Sequence, residues 1–279
     1  MEAGLLYKYS GAGNDFLVLD GRREDVSKYR EAALIQRLCS RSEGFRDSEG
    51  TIGADGLMIL SSSPEYDFRM EFFNPDGSGG MMCGNGGRCI VAFADHLGII
   101  GSEGGFLFEA PDGLHEAQIL SRGASVCTVR LKMIDVTEFR PSLDGWFLNT
   151  GTRHFVRFVG DVDSLDILSL GPRYRHDPAF APQGANANFV QKTGEDSIKV
   201  RTFEKGVEAE TLACGTGITA SALALELDSA DGHKQKSRVV EVRARVDNLR
   251  VEFTPCLDAL GSIRGFEQVY LTGPARLIR

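Results

Sequence analysis

The feature that most constrains this chain is an internal repeat. From residue 67 to residue 94 the order is an apolar strand pattern, a polar loop, Cys-Gly-x-Gly, and an apolar helix pattern. From residue 197 to residue 224 the same order recurs. Phe72 lies 11 residues before Cys83, and Phe203 lies 11 residues before Cys214. The simplest account is two related halves, each carrying one such unit. The 279-residue length suits two domains, and no low-complexity linker separates them. We place a soft boundary between Met133 and Pro141. The first domain is expected to span residues 1–133, completed by the last strand at 269–279, and the second residues 134–268.

The remaining pattern is rich in strands. Residues 16–20, 56–60, 67–73, 127–133, 154–159, 186–191, 197–204, 238–246 and 249–253 combine aliphatic, aromatic and β-branched side chains between turn residues. Helical periodicity is confined to 28–39, 86–97 and 215–227, and the last two are apolar enough to be largely buried. The expected class is therefore α/β (α+β). Glycine makes up 33 of the 279 residues, against a usual ~7%, which points to tight turns and close backbone approaches.

Several function classes fall away. The net charge is -8 and no basic stripe is present, so nucleic acid is not an expected partner. No apolar run is long enough to span a bilayer, and the opening residues lack a signal-peptide pattern. A cytoplasmic protein with no membrane partner is expected. Its six cysteines should then stay reduced. No CxxC pair occurs, and His96, His115, His154, His176 and His233 are scattered, so no metal site is expected.

The two Cys-Gly-x-Gly units carry chemistry. A helix N-terminus presents unpaired N–H groups and a partial positive charge. A cysteine there has its thiolate stabilised, and the N–H groups cradle a carboxylate. Cys39, Cys89, Cys127 and Cys256 lack that setting and read as small apolar residues. Two thiols, one on each face of an α-carbon, suit proton removal and return with inversion. The N–H groups would stabilise the charge that grows on the substrate carboxylate. No cofactor is needed for that scheme.

At these motifs the sequence resembles the diaminopimelate epimerase family. The resemblance rests on "GAGNDFLVLD" (11–20), "IGADGLMIL" (52–60), "FFNPDGSGGMMCGNGGRC" (72–89) and "FEKGVEAETLACGTG" (203–217), and it covers nearly the whole chain. It implies two pseudo-symmetric halves, each a rolled, mostly antiparallel sheet around a central helix, with the active site in the cleft between them. It implies conversion of LL-2,6-diaminopimelate to the meso form without pyridoxal phosphate, in lysine and peptidoglycan precursor synthesis, and it suggests a homodimer. By likeness, Cys83 and Cys214 are the acid–base pair, with His154 and Glu204 lining the reacting centre. Gly84, Asn85, Gly215 and Thr216 supply N–H groups to the reacting carboxylate. Asn14, Asn74 and Asn186 hold substrate, the latter two at its distal end. The family's Glu-Arg-Gly is Glu204-Lys205-Gly206 here, and its Gly-Asn-Pro-His is Gly151-Thr152-Arg153-His154. Lysine offers a point charge where arginine offers a fork. We expect Lys205 and Thr152, aided by Arg153, to hold the distal carboxylate.

Competing readings are a sister activity such as proline racemase or hydroxyproline epimerase, a hydrolase with one cysteine as nucleophile and His154 as base, and a non-catalytic amino-acid-binding protein. "GTGITA" (215–220) has the form of a dinucleotide fingerprint, but it lacks the expected βαβ setting and leaves Cys214 unexplained.

Overall fold

The computed structural model describes residues 6–23, 25–229 and 234–278; His233 lies outside them. Contacts divide the chain into two compact units, Met1–Leu131 with Gly273–Arg279, and Lys132–Thr272. Among the described residues, no helix is long and apolar enough to cross a membrane.

The first unit contains β1 (Leu6–Gly11), β2 (Asn14–Asp20), α1 (Ala32–Cys39), β3 (Leu57–Ser61), β4 (Phe68–Phe73), α2 (Gly84–His96), β5 (Phe106–Ala110), β6 (Gly113–Arg122) and β7 (Val126–Lys132). These seven strands pair in chain order, and the end of the last strand of the chain pairs with both β7 and β1. The sheet thereby closes on itself. Pairing is antiparallel except for β2–β3 and β4–β5. Those two parallel steps are bridged by α1 and α2, as parallel strands require a crossover. Helix α2 packs against β1, β2, β3 and β6. Its Cys89, Ile90 and Phe93 are fully buried, so the helix fills the barrel.

The second unit contains β8 (Phe139–Ser142), β9 (Gly145–Asn149), β10 (Arg153–Phe158), α3 (Ile167–Arg175), β11 (Asn186–Gly194), β12 (Ser197–Glu204), β13 (Ala209–Thr211), α4 (Gly215–Leu227), β14 (Arg238–Arg243) and β15 (Asn248–Leu257). The long β16 (Ile263–Ile278) pairs with β15 over its first part, and its last residues complete the first unit. From β9 to β16 the pairing senses run antiparallel, parallel, antiparallel, parallel, antiparallel, antiparallel. From β1 to β7 they run in that same order. Helix α3 stands where α1 stands, and α4 where α2 stands. The repeat seen around the two cysteines is therefore a repeat of whole topology. Helix α4 is apolar on nearly every face and packs against β9, β10, β11, β12, β14 and β15, as a helix without a wet side must.

Strands β1, β5, β6, β8, β9 and β13 have no counterpart among the strands read from the sequence, and three further elements differ from its pattern. The helix expected over 28–39 is a short 3-10 turn, Ser27–Arg30, then α1, separated by the extended Glu31 (ψ 121°). The break lets Tyr29 and the Ile35–Leu38–Cys39 face both reach one apolar cluster. The strand expected over 238–246 ends at Arg243, where Ala244 N–H donates to Asp247 O at 3.0 Å and turns the chain. Helix α3 has no counterpart in the sequence reading, because Gly171 and Pro172 interrupt its pattern. Gly171 is required there: a Cβ would sit 2.2 Å from the Phe203 ring.

Candidate active site

Both reactive-cysteine candidates cap a helix. Cys83 precedes α2 with extended backbone (φ -111°, ψ 152°), and its Sγ accepts from Gly86 N–H at 3.3 Å. Cys214 precedes α4 with extended backbone (φ -112°, ψ 110°). Cys83 is half-buried and Cys214 buried. Each thiol therefore lies at the positive end of a buried helix, where the amides of residues 84–86 and 215–217 open each helix.

The turn between the first two strands of each repeat approaches the helix start. Gly13 (φ 100°) and Gly151 (φ 101°) occupy the same left-handed conformation, which admits glycine at no steric cost. The next residue in each half then reaches the residue two beyond the cysteine. In the first unit Asn85 Nδ2 donates to Asn14 Oδ1 at 2.6 Å. In the second, Thr152 Oγ1 and Thr216 Oγ1 lie 2.9 Å apart.

In the first unit this contact is anchored by charge. Asn14 Nδ2 donates to Asp55 Oδ2 at 2.9 Å. Asn85 Oδ1 accepts from Arg88 Nη2 at 2.8 Å, while Arg88 Nη1 donates to Gly84 O at 3.0 Å. A carboxylate can only accept and a guanidinium can only donate, so the two ends fix the orientation of both amides. Arg41 joins Asp55 to Asp15. The buried Lys8 ammonium lies 2.9 Å from both Asp15 and Asp47.

In the second unit the corresponding contacts are neutral. His154 is fully buried on β10, and burial pushes its pKa down to about 3. Its Nε2 lies 2.8 Å from Thr152 Oγ1 and 2.9 Å from Thr216 Oγ1. Its Nδ1 lies 3.1 Å from Asn188 Nδ2. An imidazole with so low a pKa is a weak base at neutral pH, which disfavours the hydrolase reading.

The remaining expected residues are placed as follows. Glu204 ends β12 and accepts from Thr211 Oγ1 at 2.8 Å. Asn186 bridges two backbone segments: its Nδ2 donates to Arg153 O at 3.0 Å and its Oδ1 accepts from Lys205 N–H at 2.8 Å. It thus positions the turn that carries the exposed Lys205. Asn74 donates to Ser78 Oγ at 3.0 Å within its own loop. Arg153 donates to Gln183 Oε1 at 2.7 Å. Sequence reasoning did not single out Asp55, Arg88 or Asn188. Asn188 shares a strand face with Asn186, and two amides on one face of an otherwise apolar strand were the available signal.

A sequence model of the diaminopimelate epimerase family matches residues 6–134 and 146–253. Diaminopimelate epimerase from Flavobacterium psychrophilum is 40% identical over 273 residues, covering 98% of this chain and 97% of that protein. The Chlorobaculum tepidum enzyme of that name is 39% identical, with 96% and 97% covered. Among solved structures, a phenazine biosynthesis protein of the PhzF family from Bacillus anthracis is similar in fold (TM-score 0.69, 12% identity, 98% and 96% covered). A probable proline racemase from Agrobacterium radiobacter is also similar (TM-score 0.62, 15% identity, 98% and 92% covered). The fold therefore extends well beyond the sequence family, while full-length identity near 40% ties the chain to one branch of it. The chain belongs to the diaminopimelate epimerase family.

Proposed function

We propose that this protein interconverts LL- and meso-diaminopimelate by proton transfer at one α-carbon, with Cys83 and Cys214 as the acid–base pair. The observation that carries the reading is the duplication: each half provides one thiol at the start of a buried helix, in the same topological position. One thiolate removes the α-proton, and the thiol of the other half returns a proton to the opposite face. The reading requires the two halves to form one site, so that both helix starts address the same substrate carboxylate. The amides of Gly84, Asn85, Gly215 and Thr216 then stabilise the charge that develops on its oxygens. Positioned acid–base groups of this kind contribute ~10²–10⁴-fold.

Lys205 is the cation we assign to the distal carboxylate, since Asn186 holds its turn in place and its side chain is exposed. Thr152, expected to share that task, has its hydroxyl against His154 and Thr216. We assign it to the thiol end instead. A homodimer and a cytoplasmic location belong to the same reading.

The test is incubation of the purified chain with LL-diaminopimelate, without added pyridoxal phosphate, followed by chromatographic separation of the stereoisomers. Appearance of the meso form, with L-proline and trans-4-hydroxy-L-proline left unchanged, supports the assignment. Turnover of either imino acid but not diaminopimelate would move the chain to the sister activity.

A further inference from the structure

The two thiols are supported differently. Cys83 Sγ takes a backbone N–H from its own helix. The Cys214 side chain makes no such cap bond; its Sγ lies 3.4 Å from Thr216 Oγ1 instead. Behind Thr216 stand His154 and Asn188, and their geometry fixes where the hydrogens lie. Asn188 Nδ2 is 3.0 Å from Phe155 O, which can only accept, so that atom is the amide nitrogen. Its Oδ1 accepts from Thr202 Oγ1 at 2.9 Å. The second Nδ2 hydrogen then points at His154 Nδ1, 3.1 Å away. Nδ1 is therefore the bare nitrogen of the neutral ring, and the ring hydrogen sits on Nε2. Nε2–H donates to the threonine hydroxyls at 2.8 and 2.9 Å.

We infer that Asn188, His154 and Thr216 form a directional hydrogen-bond chain that ends on Cys214 Sγ and stabilises its thiolate. A thiolate is the strongest acceptor within reach of Thr216, and it draws the hydroxyl hydrogen to itself. Asn188 and His154 are positioning residues: they act on the sulfur through Thr216 and never exchange a proton with it. On the flanking strands Arg153 donates to Gln183 Oε1 and Glu204 accepts from Thr211 Oγ1.

The second glycine of the motif supports the chain independently. A Cβ at Gly217 would lie 2.4 Å from Asn188 Oδ1 and 3.2 Å from His154 Cε1. Gly217 is glycine because this pair packs on it. At Gly86, the matching position of the first half, a Cβ would meet nothing closer than 3.4 Å. There Asn85 replaces Thr216, and its amide donates to Asn14.

The chain's part in turnover rests on the two-thiol reading, but its existence can be read without turnover. The test is alkylation of the full-length protein by iodoacetamide across pH, with Cys83 and Cys214 quantified separately by peptide mass spectrometry. Thr216→Val should raise the pH midpoint of Cys214 by about one to two units, the worth of one hydrogen bond to a charged group. The Cys83 midpoint should stay in place, and Thr216→Ser should restore Cys214. Asn188→Leu, which removes the N–H that keeps Nδ1 bare, should shift Cys214 in the same sense. An unchanged Cys214 midpoint in Thr216→Val, or an equal shift at both thiols, overturns the inference. A Cys214-specific shift in a protein that leaves diaminopimelate untouched would keep the chain and discard the substrate.

Discussion

Replacing Lys8 by methionine removes a cation that is 1% exposed and sits 2.9 Å from both Asp15 and Asp47. Breaking a buried ion pair from one side typically costs about 3–5 kcal/mol, because the partner charge is stranded. Two features place this case at about 3 kcal/mol, the lower end of that range. Asp15 keeps Arg41, whose two nitrogens lie at 2.6 and 3.0 Å. Asp47 keeps the N–H groups of Glu49 and Thr51 at 3.0 and 2.9 Å. The loss should depend on pH. Burial pushes the Asp15 carboxyl up, but Arg41 and Lys8 outweigh it and hold it below the ordinary range. Asp47 is likewise held down against burial, by Lys8 and the Thr51 N–H. A depressed carboxyl stabilises the fold above its unfolded pKa, ~3.9, and that contribution disappears as pH falls through the folded value. The gap between wild type and Lys8→Met should therefore be full at pH 7 and shrink at pH values below about 4. Urea titration followed by far-UV circular dichroism reads both. A gap below about 1 kcal/mol at pH 7, the range of an exposed ion pair, would refute the reasoning. So would a gap that stays constant into acid.

Three further outcomes follow from the same structure. Asp55→Asn removes the anion that orients Asn14 and, through it, Asn85. We expect kcat/KM for diaminopimelate to fall about 10- to 100-fold, the worth of one charge-assisted hydrogen bond, with little change in secondary structure; undiminished kcat/KM would show that the amide orientation is set elsewhere. Gly171→Ala drives a methyl to 2.2 Å from the Phe203 ring, so thermal denaturation should show a destabilisation of at least ~1–3 kcal/mol; an unchanged melting temperature would mean that α3 can slide off β12 at no cost. Lys205→Ala should raise KM for diaminopimelate with kcat less affected, as expected for binding that is uniform between ground and transition state, and an unchanged KM would remove Lys205 from distal recognition.

The sequence exposed those parts of the fold whose causes are local. Cys-Gly-x-Gly before an apolar run is a complete helix-start signal, and α4 begins and ends where the pattern does. The strand at 197–204 is bounded by turn residues on both sides and appears unchanged as β12. What escaped the sequence has causes far along the chain. Gly171 and Pro172 read as breakers, yet the helix holds because Phe203, more than 30 residues on, fills the space above Gly171. His154 is expected at the reacting centre from the resemblance, but the hydrogen pattern of its ring depends on Asn188, 34 residues away. Lys8 carried no motif, and its two aspartates come from different elements of the first unit. Buried polar networks are invisible to periodicity because each member looks like an ordinary surface residue until its partners are known.

The central claim is that two thiols act on one α-carbon. Proton NMR of LL-diaminopimelate in deuterated water reads it most directly. The account predicts loss of the α-proton signal with the wild-type chain, and persistence of that signal with Cys83→Ala and with Cys214→Ala. Exchange at the wild-type rate in either variant would contradict it.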